Sequence, residues 1–208
     1  MRQRTSQILY AYWNEVRGER LAPRRLEIEP SRIATILPET FVLERGPAAT
    51  YTFRLAGTRL FEEFGHEFRG TDFLAGWSPN DRTTLVRQLD VVCSQGAALV
   101  LLFEAAAAAS GKCAEFEAVL LPLLHTAGDV TRLLGAISPL AAPPWLGHER
   151  LEGQRLLGHE LIRPDGRPYT IAEKMREQTP LKSALSGARL VRFDRRSFRV
   201  LDGGLGRK

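Results

Sequence analysis

Residues 50–77, TYTFRLAGTRLFEEFGHEFRGTDFLAGW, constrain the fold more than any other stretch of this chain. Tyr51, Phe53 and Leu55 alternate with Thr52, Arg54 and Ala56, the two-residue period of a strand with one buried face. Gly57 breaks the strand, and residues 58–64 then make two helical turns that point Leu60, Phe61 and Phe64 inward. Gly65 and Gly70 punctuate an aromatic segment that ends at a helix start, Ser78. A strand that runs straight into short amphipathic turns folds them over one face of its sheet. A hollow is left between the turns and the sheet.

The flanking sequence supplies the rest of the layer. Residues 5–17 read as a helix, with Leu9, Tyr12, Trp13 and Val16 on one face, Thr5 or Ser6 as N-cap and Gly18 as the stop. Its large aromatics need a covering surface, either the sheet of the same chain or a second copy. Residues 30–37 read as a second short helix, with Pro30 in its first turn and Pro38 ending it. Residues 40–43 are β-rich. The clearest helix is 79–95: Ser78 caps it, Pro79 opens it, Leu85, Val86, Leu89, Val92 and Cys93 form its apolar stripe, and Gly96 stops it. Three apolar runs follow at 97–108, 114–124 and 131–140, separated by Ser110-Gly111 and Gly128-Asp129, which predicts an antiparallel meander. The alanines at 105–109 favour helix by propensity, but the neighbouring pattern overrides them. The expected fold is α+β: a five-stranded antiparallel sheet with helices on one face, an N-terminal helix and a C-terminal extension.

Composition narrows the class. A hydrophobic fraction of 44% and a charged fraction of 25% suit a soluble globular chain. The longest apolar run is interrupted by Glu104, so no membrane span is expected, and the N-terminus MRQRTSQILYAYWNE reads as no signal peptide. Cys93 and Cys113 form no CxxC pair, which fits a reduced, cytoplasmic protein. Residues 150–208 carry 14 Lys/Arg against 7 Asp/Glu, while the rest of the chain is slightly acidic. The basic residues are scattered among acids and prolines, so the tail reads as a solvated extension and no nucleic-acid partner is expected. Residues 146–168 hold several Gly and Pro breaks and read as a linker or loosely docked arm; a helix at 170–186 and a hairpin around Asp194 are expected beyond it.

Catalytic and metal signatures are missing. His66, His125, His148 and His159 form no HxxxH or HExxH pattern, and there is no GxSxG, no GxGxxG after a strand and no Walker-type loop. Glu115 and Glu117 share a strand face and read as an acid–base pair, a solvated edge or partners of Arg132. No histidine-bearing helical hairpin of a kinase transmitter and no DNA-recognition helix is present.

Taken in order, LYAYWNEVRGERLAPRR (9–25), IEPSRIATILPETFVLE (28–44), FRLAGTRLFEEFGHEFRGTDFLAGW (53–77) and LLPLLHTAGDVTRLLGAISPL (120–140) resemble a PAS domain, and more specifically the small single-PAS proteins of alphaproteobacteria. The resemblance implies three regions: an N-terminal helical cap (1–27), the PAS domain (28–145) and a basic extension (146–208). It implies sensing or protein–protein signalling in place of catalysis. The implied pocket draws on Phe53, Leu55, Phe64, Phe73, Trp77, Leu89 and Phe116, with Thr58, His66, Glu104 and Ser138 as its polar groups. Leu9, Tyr12, Trp13 and Val16 would make dimer or partner contacts, with another copy or with signalling proteins. The cofactor is left open. The segment TRLFEEFG lacks the cysteine of flavin photosensors, and residues 79–95 lack a histidine for haem. Two alternatives to an adaptor stand: a sensor of haem or a metabolite, and a small enzyme with His66 or Glu104 as base.

Overall fold

The computed structural model describes residues 1–125 and 128–163. Its main elements in chain order are α1 (Arg4–Arg17), β1 (Thr40–Arg45), β2 (Tyr51–Ala56), α2 (Thr58–Phe64), α3 (Pro79–Gln95), β3 (Ala98–Ala107), β4 (Cys113–Leu124), β5 (Val130–Pro139) and β6 (Leu151–Ile162). The strands form a single antiparallel sheet in the order β2-β1-β5-β4-β3-β6. The β3–β4–β5 meander is its centre, and the alanine-rich end of β3 is strand: Ala105 pairs with Ala114, and Ala106 with Cys113.

Each sheet face buries its own core. On one face α2, α3 and the 65–77 segment cover Leu99, Leu101, Phe103, Phe116, Leu133 and Ile137. On the other, α1 lays Leu9, Tyr10, Tyr12 and Trp13 over Val100, Val119, Leu121, Leu134 and Ala136. The central strands are therefore apolar on both sides, which is why they read as continuous runs and not as alternating ones.

The docking of α1 resolves a local puzzle. Proline is rare inside central strands because it has no N–H for the ladder. Pro122 sits in β4, paired with Leu133 of β5, but β3 reaches only as far as Leu99 opposite Leu120. Beyond that point the β3 side of β4 is an edge. The Trp13 indole N–H donates to the Pro122 carbonyl at 2.8 Å, and the Leu124 N–H donates to the Pro23 carbonyl at 2.9 Å. Helix and following loop thus finish the ladder that β3 leaves open.

Four expectations are corrected. The helix read at 30–37 is two 3₁₀ turns, Pro30–Ile33 and Leu37–Glu39. Pro38 disfavours the α region at Leu37, and the Ile36 N–H bonds to Ile33 with the tighter i to i+3 spacing. Neither Thr5 nor Ser6 caps α1; the buried Glu117 carboxylate of β4 accepts from the N–H groups of Arg2 and Gln3 instead. Glu117 is thereby taken up with Glu115 left at the surface, and Arg132 pairs with Glu44 at 3.7 Å. Residues 151–162 are the sixth strand, paired along the whole of β3, where a linker was expected. The breaks that suggested a linker include Gly153, which takes φ +64° at a bulge in that pairing, a role that glycine fills within a strand. The helix expected at 170–186 and the hairpin around Asp194 lie outside the described residues.

Candidate functional site

Where the 66–77 segment passes between β2 and β6, a cavity of about 280 Å³ remains. Backbone hydrogen bonds hold the segment on both sides. Phe53 and Phe73 donate to Thr71 and Tyr51 at 2.9 and 2.8 Å, and the Gln154 N–H of β6 donates to the Gly76 carbonyl at 2.9 Å. The cavity's inner wall is a chain of rings. Phe53 meets Phe68 at 4.9 Å and Phe73 at 6.0 Å; Phe73 meets Trp77 at 5.9 Å, and Trp77 meets Phe103 at 5.2 Å. Ile137 closes the back, and residues Arg150 to Gln154 form the opposite side.

Of the residues read as pocket-lining, Phe53, His66, Phe73 and Trp77 line this cavity. Phe64, Phe116 and Leu89 are buried in the core behind it, with Phe64 and Phe116 rings 4.8 Å apart. Leu55 is 56% exposed. A bulge sets Val42 against Leu55 but Leu43 against Phe53, so strict alternation fails after Phe53 and Leu55 leaves the aromatic face. Phe61 is likewise 54% exposed on α2, which turns only Leu60 and Phe64 to the core. Thr58 is exposed at the start of α2. Ser138 lies on the α1 face and donates to the Glu39 carboxylate at 2.6 Å. Glu104 alternates with the cavity-facing Phe103, so it points to the other face, where Arg155 donates to it at 2.7 Å and holds its carboxyl below the usual range. Leu9, Tyr12 and Trp13 are buried against the chain's own sheet, with Val16 half-buried beside them.

The polar groups around the cavity are almost all committed within the chain. Asp72 accepts from the N–H groups of Tyr51 and Leu74 and pairs with Arg82 at 3.3 Å. Trp77 donates its indole N–H to the Phe73 carbonyl, and Thr71 its hydroxyl to Phe68. Arg150 and Glu152 pair at 3.0 Å on the rim. One His66 ring nitrogen lies 3.2 Å from the Phe64 carbonyl. Gln154 is different: its Oε1 is buried without a hydrogen-bond partner. The β6 residues were missed because the segment read as a linker. The period that was there to find is LEGQRLL, in which Leu151, Gln154 and Leu156 face in on either side of a glycine bulge.

Comparison with known proteins bears on the whole arrangement. A family model described as "PAS domain" matches residues 1–138. The chain belongs to the PAS domain family. No curated protein matches it. Among solved structures it is similar to the light state of the blue-light photoreceptor Aureochrome1 LOV, at 11% identity over 51% of this chain and 84% of that one, TM-score 0.41. It is also similar to an RNA-binding Light-Oxygen-Voltage receptor, at 16% identity over 53% of this chain and 32% of that one, TM-score 0.42. A third is a sensory box histidine kinase/response regulator from Burkholderia thailandensis, at 15% identity over 54% of this chain and 85% of that one, TM-score 0.37. PAS domains are sensory and signalling modules that mediate signalling interactions, and the family is generally non-enzymatic. In this PAS domain the matched residues supply the aromatic wall, while Arg150 to Gln154 lie beyond them. Among the described residues no helix is long and apolar enough to cross a membrane, and no cluster of His, Cys, Asp and Glu could hold a metal ion.

Proposed function

We propose that this PAS domain is a sensory adaptor whose cavity takes a small cytosolic ligand and whose output is contact with a signalling protein. The observation that carries the reading is the cavity itself. Ring-lined walls with a few convergent polar groups are the usual make-up of a small-molecule site. Aromatic side chains that served only to fill the core would close on one another and leave no such space. A ligand there touches β2, the 66–77 segment and β6 together, so it has differential contacts with states in which β6 is docked or loosened. We assign partner contact, including pairing with a second copy, to α1 through Leu9, Tyr12, Trp13 and Val16. Those side chains lie on the chain's own sheet in the docked state, so this contact works by release or exchange of α1 between copies.

Affinity capture from native lysate tests the reading, using the full chain beside Ile137→Trp, which fills the cavity from behind. The expected result is a partner whose recovery differs between the two forms, and a small molecule released by acid from the first form only. Identical partners and no released molecule would refute it.

A further inference from the structure

A second hollow lies on the α1 face of the sheet. From an apolar groove, an exposed leucine beside it and opposite charges on its two walls, we infer that this surface pairs with a second copy of the chain, each copy's Leu26 entering the other's groove. The pairing needs neither a ligand nor release of α1, so it goes beyond the reading above.

The groove arises from uneven cover. Helix α1 lies over the central strands, and the 28–37 turns beside it stop short of sealing β1 and β2. Ile28, Ile33 and Leu37 form one wall; Val42, Leu55 and Leu134 of the sheet form the other. The space between them is about 240 Å³, which matches about eight waters' share of liquid volume and admits a leucine side chain. Its one hydroxyl, on Thr40, already donates to the Leu37 carbonyl at 2.9 Å, so no polar group there asks for a polar occupant. The bulge at Arg54 sets Leu55 opposite Val42 on this face, where it stays 56% exposed. Leu26, 84% exposed, stands two residues before Ile28. Exposed leucines scattered singly are ordinary, but here two accompany one apolar groove. A small molecule in the groove would leave Leu26 in water, whereas a protein surface covers all three.

Charge makes the occupant a second copy. On the sheet wall Arg54 and Arg132 converge on the single carboxylate of Glu44, which leaves one positive charge in excess. On the turn wall Glu29 is exposed, and among the described residues no ion pair takes its carboxylate; Arg32 nearby is engaged with Glu15 at 2.9 Å. A two-fold axis lays each wall against the opposite wall of the other copy, because residue i then meets residue j wherever j meets i. Glu29 of each copy is thereby brought to Arg54 of the other as the Leu26 side chains enter the grooves. A knob beside a hole and opposite charges on the two walls are what such self-pairing requires. The turn wall also holds α1, through the Glu29 N–H that donates to the Tyr12 hydroxyl at 2.6 Å and through the Arg32–Glu15 pair. A seated second copy therefore braces α1 in its docked position.

Sedimentation of the full chain across a concentration series tests this. The unaltered chain is expected to reach the dimer mass at submillimolar concentration. Leu26→Asp is expected to weaken the dimer about tenfold or more while the far-ultraviolet spectrum is unchanged, since Leu26 is not part of the core. Glu29→Arg and Arg54→Glu are each expected to weaken association, and the double exchange to recover it, which a merely structural effect of either change would not do. A unaltered chain that stays monomeric throughout would overturn the pairing and hand the groove to another occupant. A dimer that Leu26→Asp leaves intact would also overturn it, and would leave exchange of α1 as the source of the dimer. Two charge variants whose losses simply add in the double exchange would overturn the two-fold arrangement of the walls. The small molecule released by acid tests the sensory reading separately.

Discussion

Glu63 is a carboxylate placed against its own charge. It sits half-buried on α2, one oxygen has no hydrogen-bond partner, and burial first, then Glu39 and Glu62, push its carboxyl up to about 7 despite Arg59. In the unfolded chain the group titrates near its ordinary 4.5. Between those values the folded state holds a proton that the unfolded state has released, so stability falls as pH rises from about 4.5 to about 7 and the loss is complete above that. Glu63→Gln removes the titration. Its melting temperature is expected to gain on the unaltered chain progressively across this window and level off beyond it; a gap independent of pH would contradict the account. Trp13 gives a second test. Trp13→Phe keeps the ring but removes the donor to Pro122, leaving a buried carbonyl unmet at a cost of about 2 kcal/mol. A fall in melting temperature of about 4–8 °C is expected, and a change within about 1 °C would show that the carbonyl finds another donor. Neither residue's role was legible in the sequence. Trp13 was read as a residue that needs cover, which it is, but the acceptor lies 109 positions away and no periodicity points to it.

At the scale of elements, α1, β1, β2, α2, α3 and the meander follow from local signals. Ser78, Pro79 and Gly96 bound α3 as read, with Ser78 accepting from the Asp81 N–H and Gly96 at φ +67°. The failures share one cause, which is that irregularity is set by the neighbour and not by the segment itself. Leu55 left the aromatic face because β2 bulges at Arg54, the residue that its pairing with β1 skips. β6 was hidden because its glycine is a bulge demanded by pairing with β3. Half of the cavity went unseen with it. Helix α1 carries the prediction at this scale. Its four buried apolar side chains each represent about 1.5–3 kcal/mol of burial as an upper bound, and together they rival the whole stability of an ordinary domain. Deleting residues 1–18 also uncovers Val100, Val119 and Leu121. The shortened chain is expected to lose its cooperative melt or to associate in sedimentation; unchanged melting and mass would mean that α1 does not hold that face.

For the molecule as a whole, one sheet serves two separate purposes. On the α1 face the Trp13 bond fastens the helix, and the Glu117 and Glu39 carboxylates receive its first residues. The opposite face is left open at a ring-lined cavity bridged by β6, the strand that leads into the basic C-terminal residues. The α+β class, the antiparallel layer and the PAS likeness were legible because they rest on element order. The cavity's contents were not, since Arg150 to Gln154 reach it only through tertiary pairing. The most direct test of the sensory reading is a native mass spectrum of the full chain taken from its own cells, beside Ile137→Trp. The account predicts an added small-molecule mass on the unaltered chain that acid removes and that Ile137→Trp never carries. The same added mass on both proteins would place the molecule elsewhere, and the bare chain mass for both would contradict a filled cavity.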